Sequence, residues 1–324
     1  MFRFFHSRYA VIAAGALAVA GAISYAAVFG QSVPAGLDGV VASWSGPWHI
    51  ERWLSLSLGI GANALIALLL VYLNKTFNVL RCMTMLQSTL FLCMTLATPW
   101  HLGMLTSGTV VALVAVACSF ILFAEYGRAA DCQQRVFLVF LLLSGGVAVD
   151  ATFAALLPIF IFACAQMRVF NLRTILAILM GIATPWVILL GFGIVKPDML
   201  AVPRFAGYAG LSAPGASEAA IAAAITGFVG ITAWTQNIMK ILTYKAQSRA
   251  MLSLLTLLML VCVIGIAVDP SAAQSMSPLL ACCAALQLGH AFGAIHTGRR
   301  SWIAIACLIV IYLTFFAWTE ILLW

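Results

Sequence analysis

Residues 135–168 read RVFLVFLLLSGGVAVDATFAALLPIFIFACAQMR. Arg135 and Arg168 bracket an apolar run that is interrupted once, between Ser144 and Asp150. Basic side chains collect on the cytoplasmic side of membrane-crossing segments. The chain therefore leaves and returns to one side between these two arginines. Only residues 136 through 167 are available for this, 32 in all. Two crossings of a ~30 Å hydrocarbon core need about 40 residues at ~1.5 Å each. The spacing predicts a short helical hairpin over 136–166 whose turn stops below the outer surface, buried in protein or facing a water-filled cavity. Asp150 then lies at the floor of an outward-facing depression.

Outward from this hairpin, apolar runs recur at 9–29, 54–73, 80–98, 107–125, 174–195, 219–238, 251–268, 277–295 and 302–322. With 136–149 and 151–166 they make eleven segments. Most are far longer than a barrel strand, and in lipid each must satisfy its own backbone, so all read as helices. The expected fold is an all-α polytopic transmembrane bundle of about eleven helices in a single integral-membrane domain. Composition agrees: 64% of the residues are hydrophobic and 8% charged, against about 25% charged in soluble domains.

Charge orients the helices. Arg3 and Arg8, Lys75 and Arg81, Arg128 and Arg135, Arg168 and Arg173, Lys240, Lys245 and Arg249, and Arg299 and Arg300 occupy every second gap. The alternation predicts a cytoplasmic N-terminus and an external C-terminus. The net charge of +7 is spread along these flanks without forming a run or stripe, which excludes a nucleic-acid surface. Helix one, 9–29, has the basic start of a signal peptide, but its apolar run exceeds the usual h-region of about 7–15 residues. It reads as an uncleaved helix, with cleavage as the alternative. The nine cysteines lie mostly inside apolar runs and include no Cys-x-x-Cys, so they read as small hydrophobes and no metal site is expected.

The external loops 30–53 and 196–218 carry most of the remaining polar groups. Seven of the nine acids fall on the external side, among them Asp38, Glu51 and Asp150. An ionisable group at membrane depth is a functional candidate by default. Asp150 is a candidate general base, metal ligand or proton carrier; the plainer reading, compatible with these, is a cap for the N–H groups of Thr152 and Phe153 on the returning helix. Arg52, Lys196 and Arg204 run against the charge bias. A phosphate-bearing headgroup explains such arginines, because guanidinium grips phosphate with two parallel hydrogen bonds; an ordinary surface ion pair is the alternative. Arg52, Arg204 and the external-side His101 are the candidate substrate-binding residues. Gln287 and His290 read as interhelical hydrogen-bonding groups, with Gly289 and Gly293 admitting a close neighbour.

Residues 124–195 carry a resemblance. The stretch Ala124-Glu125-Tyr126-Gly127-Arg128-Ala129-Ala130-Asp131 precedes two short apolar segments. Ala165-Gln166-Met167-Arg168-Val169-Phe170-Asn171-Leu172-Arg173 follows, then a helix carrying Ala183-Thr184-Pro185-Trp186. This resembles the middle of polyprenyl-phosphate-dependent membrane glycosyltransferases of the GT-C type. The resemblance implies a bacterial inner-membrane protein of cell-envelope glycan assembly, a polyprenyl-phosphate-linked substrate, and catalytic acids in the first external loop, where Asp38 and Glu51 stand. Residues 60–195 also resemble uncharacterised polytopic membrane proteins of Bacteroidota, which brings no activity. Three functions fit these readings: an enzyme on lipid-linked sugar or phosphate at the external face, a non-catalytic subunit with a membrane-protein partner, and a transporter. Membrane lipids are the expected surroundings in each.

Overall fold

A computed structural model describes residues 7–29, 39–41, 44, 48, 50–80, 84–200, 207–212, 216–293 and 307–313. Among these residues the chain is helical, with one isolated bridge between Val41 and Leu200. The helices are α1 (Arg8–Phe29), α2 (Arg52–Phe77), α3 (Leu86–Thr95), α4 (Trp100–Gly103), α5 (Ser107–Ala124) and α6 (Gln133–Gly146). They continue as α7 (Thr152–Gln166), α8 (Leu172–Gly191), α9 (Ala216–Leu242), α10 (Ala246–Val268) and α11 (Ala273–Gly293), with a helical stretch α12 at 307–313. Seven of them (α1, α2, α5, α8, α9, α10 and α11) are long and apolar enough to cross a bilayer. The chain is a multi-pass membrane protein.

Polar residues at the helix ends satisfy backbone groups that lipid cannot. Thr106 caps α5 by accepting the Thr109 N–H at 3.3 Å. Asn171 caps α8 by accepting the Thr174 N–H at 2.7 Å. Asn78 closes α2 in the left-handed region, φ 49°, and its N–H reaches the Asn74 carbonyl. Asparagine tolerates that conformation because its short polar side chain bonds locally.

Two elements do not cross. The hairpin consists of α6, 14 residues, and α7, 15 residues, each about 21–23 Å long at ~1.5 Å per residue. The turn between them occupies 147–151, so the short hairpin expected over 136–166 is present. The expected full-length helix over 80–98 is instead the 10-residue α3, about 15 Å long, followed by turns and the four-residue α4. Thr95 bonds the Leu92 carbonyl and Pro99 has no N–H to continue the ladder. Residues 86–104 are buried throughout, so the freed backbone groups face protein.

Helix α11 is the centre of the bundle, packed by α9, α5, α10 and α3. Its mean hydropathy is only 1.2, against 2.8 for α10. It tolerates Ser277, Gln287 and His290 because its neighbours shield it from lipid, and these three residues are buried. Each meets a neighbouring helix or loop. Gln287 donates to Thr256 at 3.0 Å and its carbonyl accepts from Asn237 at 2.8 Å. His290 lies 3.0 Å from the hydroxyl of Tyr244 in the loop between α9 and α10, a helix-to-loop contact where the sequence suggested a helix-to-helix one. On α12, Tyr312 meets Thr226 of α9 at 2.7 Å.

Contacts sort the helix ends into two faces. Arg8 and Lys75 line one cavity, Arg168 and Arg249 line another, and the buried Glu125 pairs with Arg135. These groups mark a basic face. The hairpin turn and the loop after α8 meet at the opposite one.

Candidate functional site at the hairpin turn

Helix α6 ends at Gly146 and α7 begins at Thr152. Asp150 lies in the turn between them and is 0% exposed. Its Oδ1 accepts the Thr152 N–H at 2.8 Å, so the capping role read from sequence is present in part. The Phe153 N–H goes to the Asp150 carbonyl at 3.2 Å instead of the carboxylate. Oδ2 and the Thr152 hydroxyl are both buried without a hydrogen-bond partner. An unpaired buried carboxylate oxygen is costly. In a folded protein such an oxygen calls for a proton, an ion or a water.

Asp150 does not face an open depression. The segment Gly39–Val41 of the first loop lies over the turn. Val40 and Val41 donate their N–H groups to the carbonyls of Val147 and Ala148 at 3.0 and 3.2 Å. A Cβ on Gly39 would fall 2.4 Å from the Ala148 oxygen and 2.5 Å from the Val149 carbonyl carbon. Glycine is needed for two backbones to meet this closely. Val41 also bridges to Leu200 in the loop after α8. Val41, Ala148 and Val195 form a small apolar cluster against Trp44, Trp186 and Leu189. Trp186 donates to Ser144 at 3.0 Å, and Ser144 donates to the Ile182 carbonyl at 2.7 Å, which fastens the end of α6 to α8. Two segments far apart in sequence, 39–44 and 182–200, thus converge on the end of α6 and its turn.

The other candidates are placed as follows. Asp38 and Arg204 lie outside the described residues, beside Gly39 in the chain and four residues beyond Leu200 respectively. Glu51 and Arg52 begin α2 with exposed side chains. His101, on α4, belongs to a separate cluster. Its Nδ1 lies 2.6 Å from the Thr106 hydroxyl and its Nε2 3.1 Å from that of Ser277. Its carbonyl accepts from Asn63 at 2.7 Å. Burial pushes its pKa down to about 3, so at neutral pH the imidazole is uncharged. It joins α4, α5 and α11.

Sequence reading missed Asn63, whose amide nitrogen bonds the carbonyls of both Gly59 and His101. It also missed Gln87, 0% exposed with neither amide atom partnered. A lone amide inside an apolar run is the signal that would have found both. No family model, curated protein or solved structure matches the chain.

Proposed function

We propose that this is an inner-membrane enzyme of envelope assembly that acts on a polyprenyl-phosphate-linked sugar at the face opposite its basic one. The positive-inside rule makes the basic face cytoplasmic and the hairpin turn external.

One observation carries the reading: a single loop packs against the segment that covers the Asp150 turn and also lines a lipid-sized apolar cleft. At Leu200 this loop pairs with Val41 over the Asp150 turn. At Tyr208 its hydroxyl bonds the Ala267 carbonyl at 3.0 Å. Tyr208 also lines a cleft of about 660 Å³ between α9 and α10, walled by Ile221, Phe228, Val263 and Ile266. Leu200 and Tyr208 are eight residues apart, so they lie within roughly 28 Å even when fully extended. Arg204 stands midway between them in sequence.

In this reading the polyprenyl chain occupies the cleft and Arg204 or Arg52 grips the phosphate. Asp150 Oδ2 accepts the proton of the attacking hydroxyl. The sugar–phosphate C–O bond breaks, the sugar joins the acceptor oxygen, and polyprenyl phosphate leaves with the bonding electrons. A base must come within ~3 Å of the proton it takes, directly or through one water. Gly39–Val41 must therefore lift off the turn to admit the acceptor. Asp38 and Glu51 are the alternative bases on that loop and its exit.

The test compares polyprenyl-phosphate-linked lipids in cells making the natural protein, cells making Asp150→Asn, and cells lacking it. The expected result is that the second and third accumulate the same lipid-linked sugar. A normal lipid pool in cells lacking the protein contradicts the enzyme reading. A normal pool with Asp150→Asn alone contradicts Asp150 as the base.

A further inference from the structure

Helices α1 and α2 run antiparallel and leave a crevice between them, floored by Leu92 of α3 and Leu102 of α4. It holds about 330 Å³ and is apolar apart from Asn63. Its walls follow one stripe on each helix. On α1 the stripe is Val11, Gly15 and Ala18; on α2 it is Ala64, Ala67 and Val71. These are the i, i+3 and i+4 spacings of a single helix face. Nothing lies within 4 Å of where a Cβ on Gly15 would stand.

The same two stripes continue to the basic face. There a second cavity, about 530 Å³, is lined by Arg8, Tyr9 and Ile12 on α1 and by Val71 and Lys75 on α2. Val71 belongs to both cavities, so they form one groove. Arg8 and Lys75 are exposed, and the single salt bridge among the described residues, Arg135 with Glu125, uses neither.

We propose that this groove binds a phospholipid with an anionic headgroup, drawn from the leaflet at the basic face. The phosphate sits between Arg8 and Lys75, and one acyl chain lies over Gly15 and Ala67. Charge and depth both select this occupant. Among the described lining residues two cations stand at the mouth and none further in. Arg8 and Val19 are about 17 Å apart along α1, and Lys75 and Ile60 about 23 Å along α2. One leaflet, headgroup included, is ~20–22 Å thick. Basic pockets between transmembrane helices on the cytoplasmic side are known headgroup sites. A free phosphate would use the mouth and leave the apolar crevice without a role. A partner helix would fill the crevice but leave the two cations unanswered. Asn63 spends its amide nitrogen on the Gly59 and His101 carbonyls, and its unpartnered Oδ1 gains nothing from an acyl chain. Affinity therefore comes from the mouth and from packing in the crevice. The site is independent of the Asp150 chemistry and lies at the other face.

The test measures lipid retention by native mass spectrometry of the full chain from nanodiscs containing phosphatidylglycerol and phosphatidylcholine with identical acyl chains. The natural protein should retain phosphatidylglycerol. Arg8→Gln with Lys75→Gln, both at exposed positions, should weaken that retention roughly thirtyfold, about fivefold per basic side chain, and leave phosphatidylcholine unchanged. Gly15→Phe fills the crevice from a position with open space and should weaken both lipids. Circular dichroism confirms that each variant is folded; if Gly15→Phe is not, Gly15→Leu takes its place. Equal retention of both lipids by the natural protein, or no loss in the Arg8/Lys75 variant, overturns the proposal. So does displacement of the lipid by glycerol phosphate alone, or recovery of a second protein in its place.

Discussion

Asp150 Oδ1 holds the Thr152 N–H at 2.8 Å while its Oδ2, equally buried, holds nothing. One carboxylate thus caps the returning helix with one oxygen and leaves the other unpartnered. The two roles separate by substitution. Asp150→Asn keeps a capping oxygen and should change stability by less than about 1 kcal/mol. Asp150→Ala removes the cap and should cost about 1 kcal/mol, within a range of roughly 0.5–2. Thermal unfolding in detergent measures both. Equal, large losses in the two variants would mean that the charge itself supports the fold.

Gly39 lets the first loop dock on the turn that carries that carboxylate. Any side chain there meets backbone atoms of Ala148 and Val149, which cannot rotate away. Gly39→Val should detach the cover without unfolding the helices. Val41 is 0% exposed, so Val41→Cys should resist a thiol reagent when residue 39 is glycine and react when it is valine. Unchanged protection in the Gly39→Val background would contradict the docking.

The His101 cluster should make stability depend on pH in a defined direction. The folded pKa of about 3 lies below the ordinary value near 6.5. The unfolded chain therefore binds the proton first as pH falls. The contribution is complete above about pH 6.5 and shrinks as pH drops toward 3. His101→Gln should lower the melting temperature at pH 8, because hydrogen bonds to Thr106 and Ser277 are lost. Its further drop between pH 8 and pH 5 should be smaller than that of the natural protein. Equal drops would mean that His101 does not titrate in this way.

The helices and the short hairpin were legible in the sequence because hydropathy and charge alternation report directly on the solvent each residue meets. Thirty-two residues between Arg135 and Arg168 sufficed to predict that the hairpin would not cross. The interruption at α3 was hidden. Residues 86–104 are mostly apolar, as they would be facing either lipid or protein, and only packing around them shows that they are buried by neighbours. The cover over Asp150 was hidden for another reason. Val40 and Val41 dock through backbone groups, and backbone hydrogen bonds across more than a hundred residues leave no side-chain pattern to read. His101 looked like a loop residue on the external side. Its three partners, Thr106, Ser277 and Asn63, come from three separate helices or their ends.

An external active site requires that the basic face be cytoplasmic. The decisive measurement places single cysteines on a background lacking the natural ones and exposes intact cells to a membrane-impermeant thiol reagent. Ser248 lies on the first turn of α10 beside Arg249, at the basic face. Ser45 lies in the loop that leads from the Asp150 cover to α2. The expected result is that Ser248→Cys stays unlabelled in intact cells and reacts once they are permeabilised, while Ser45→Cys reacts in both. Labelling of Ser248→Cys in intact cells would place the basic face outside, put the Asp150 turn on the cytoplasmic side, and contradict the proposed external chemistry.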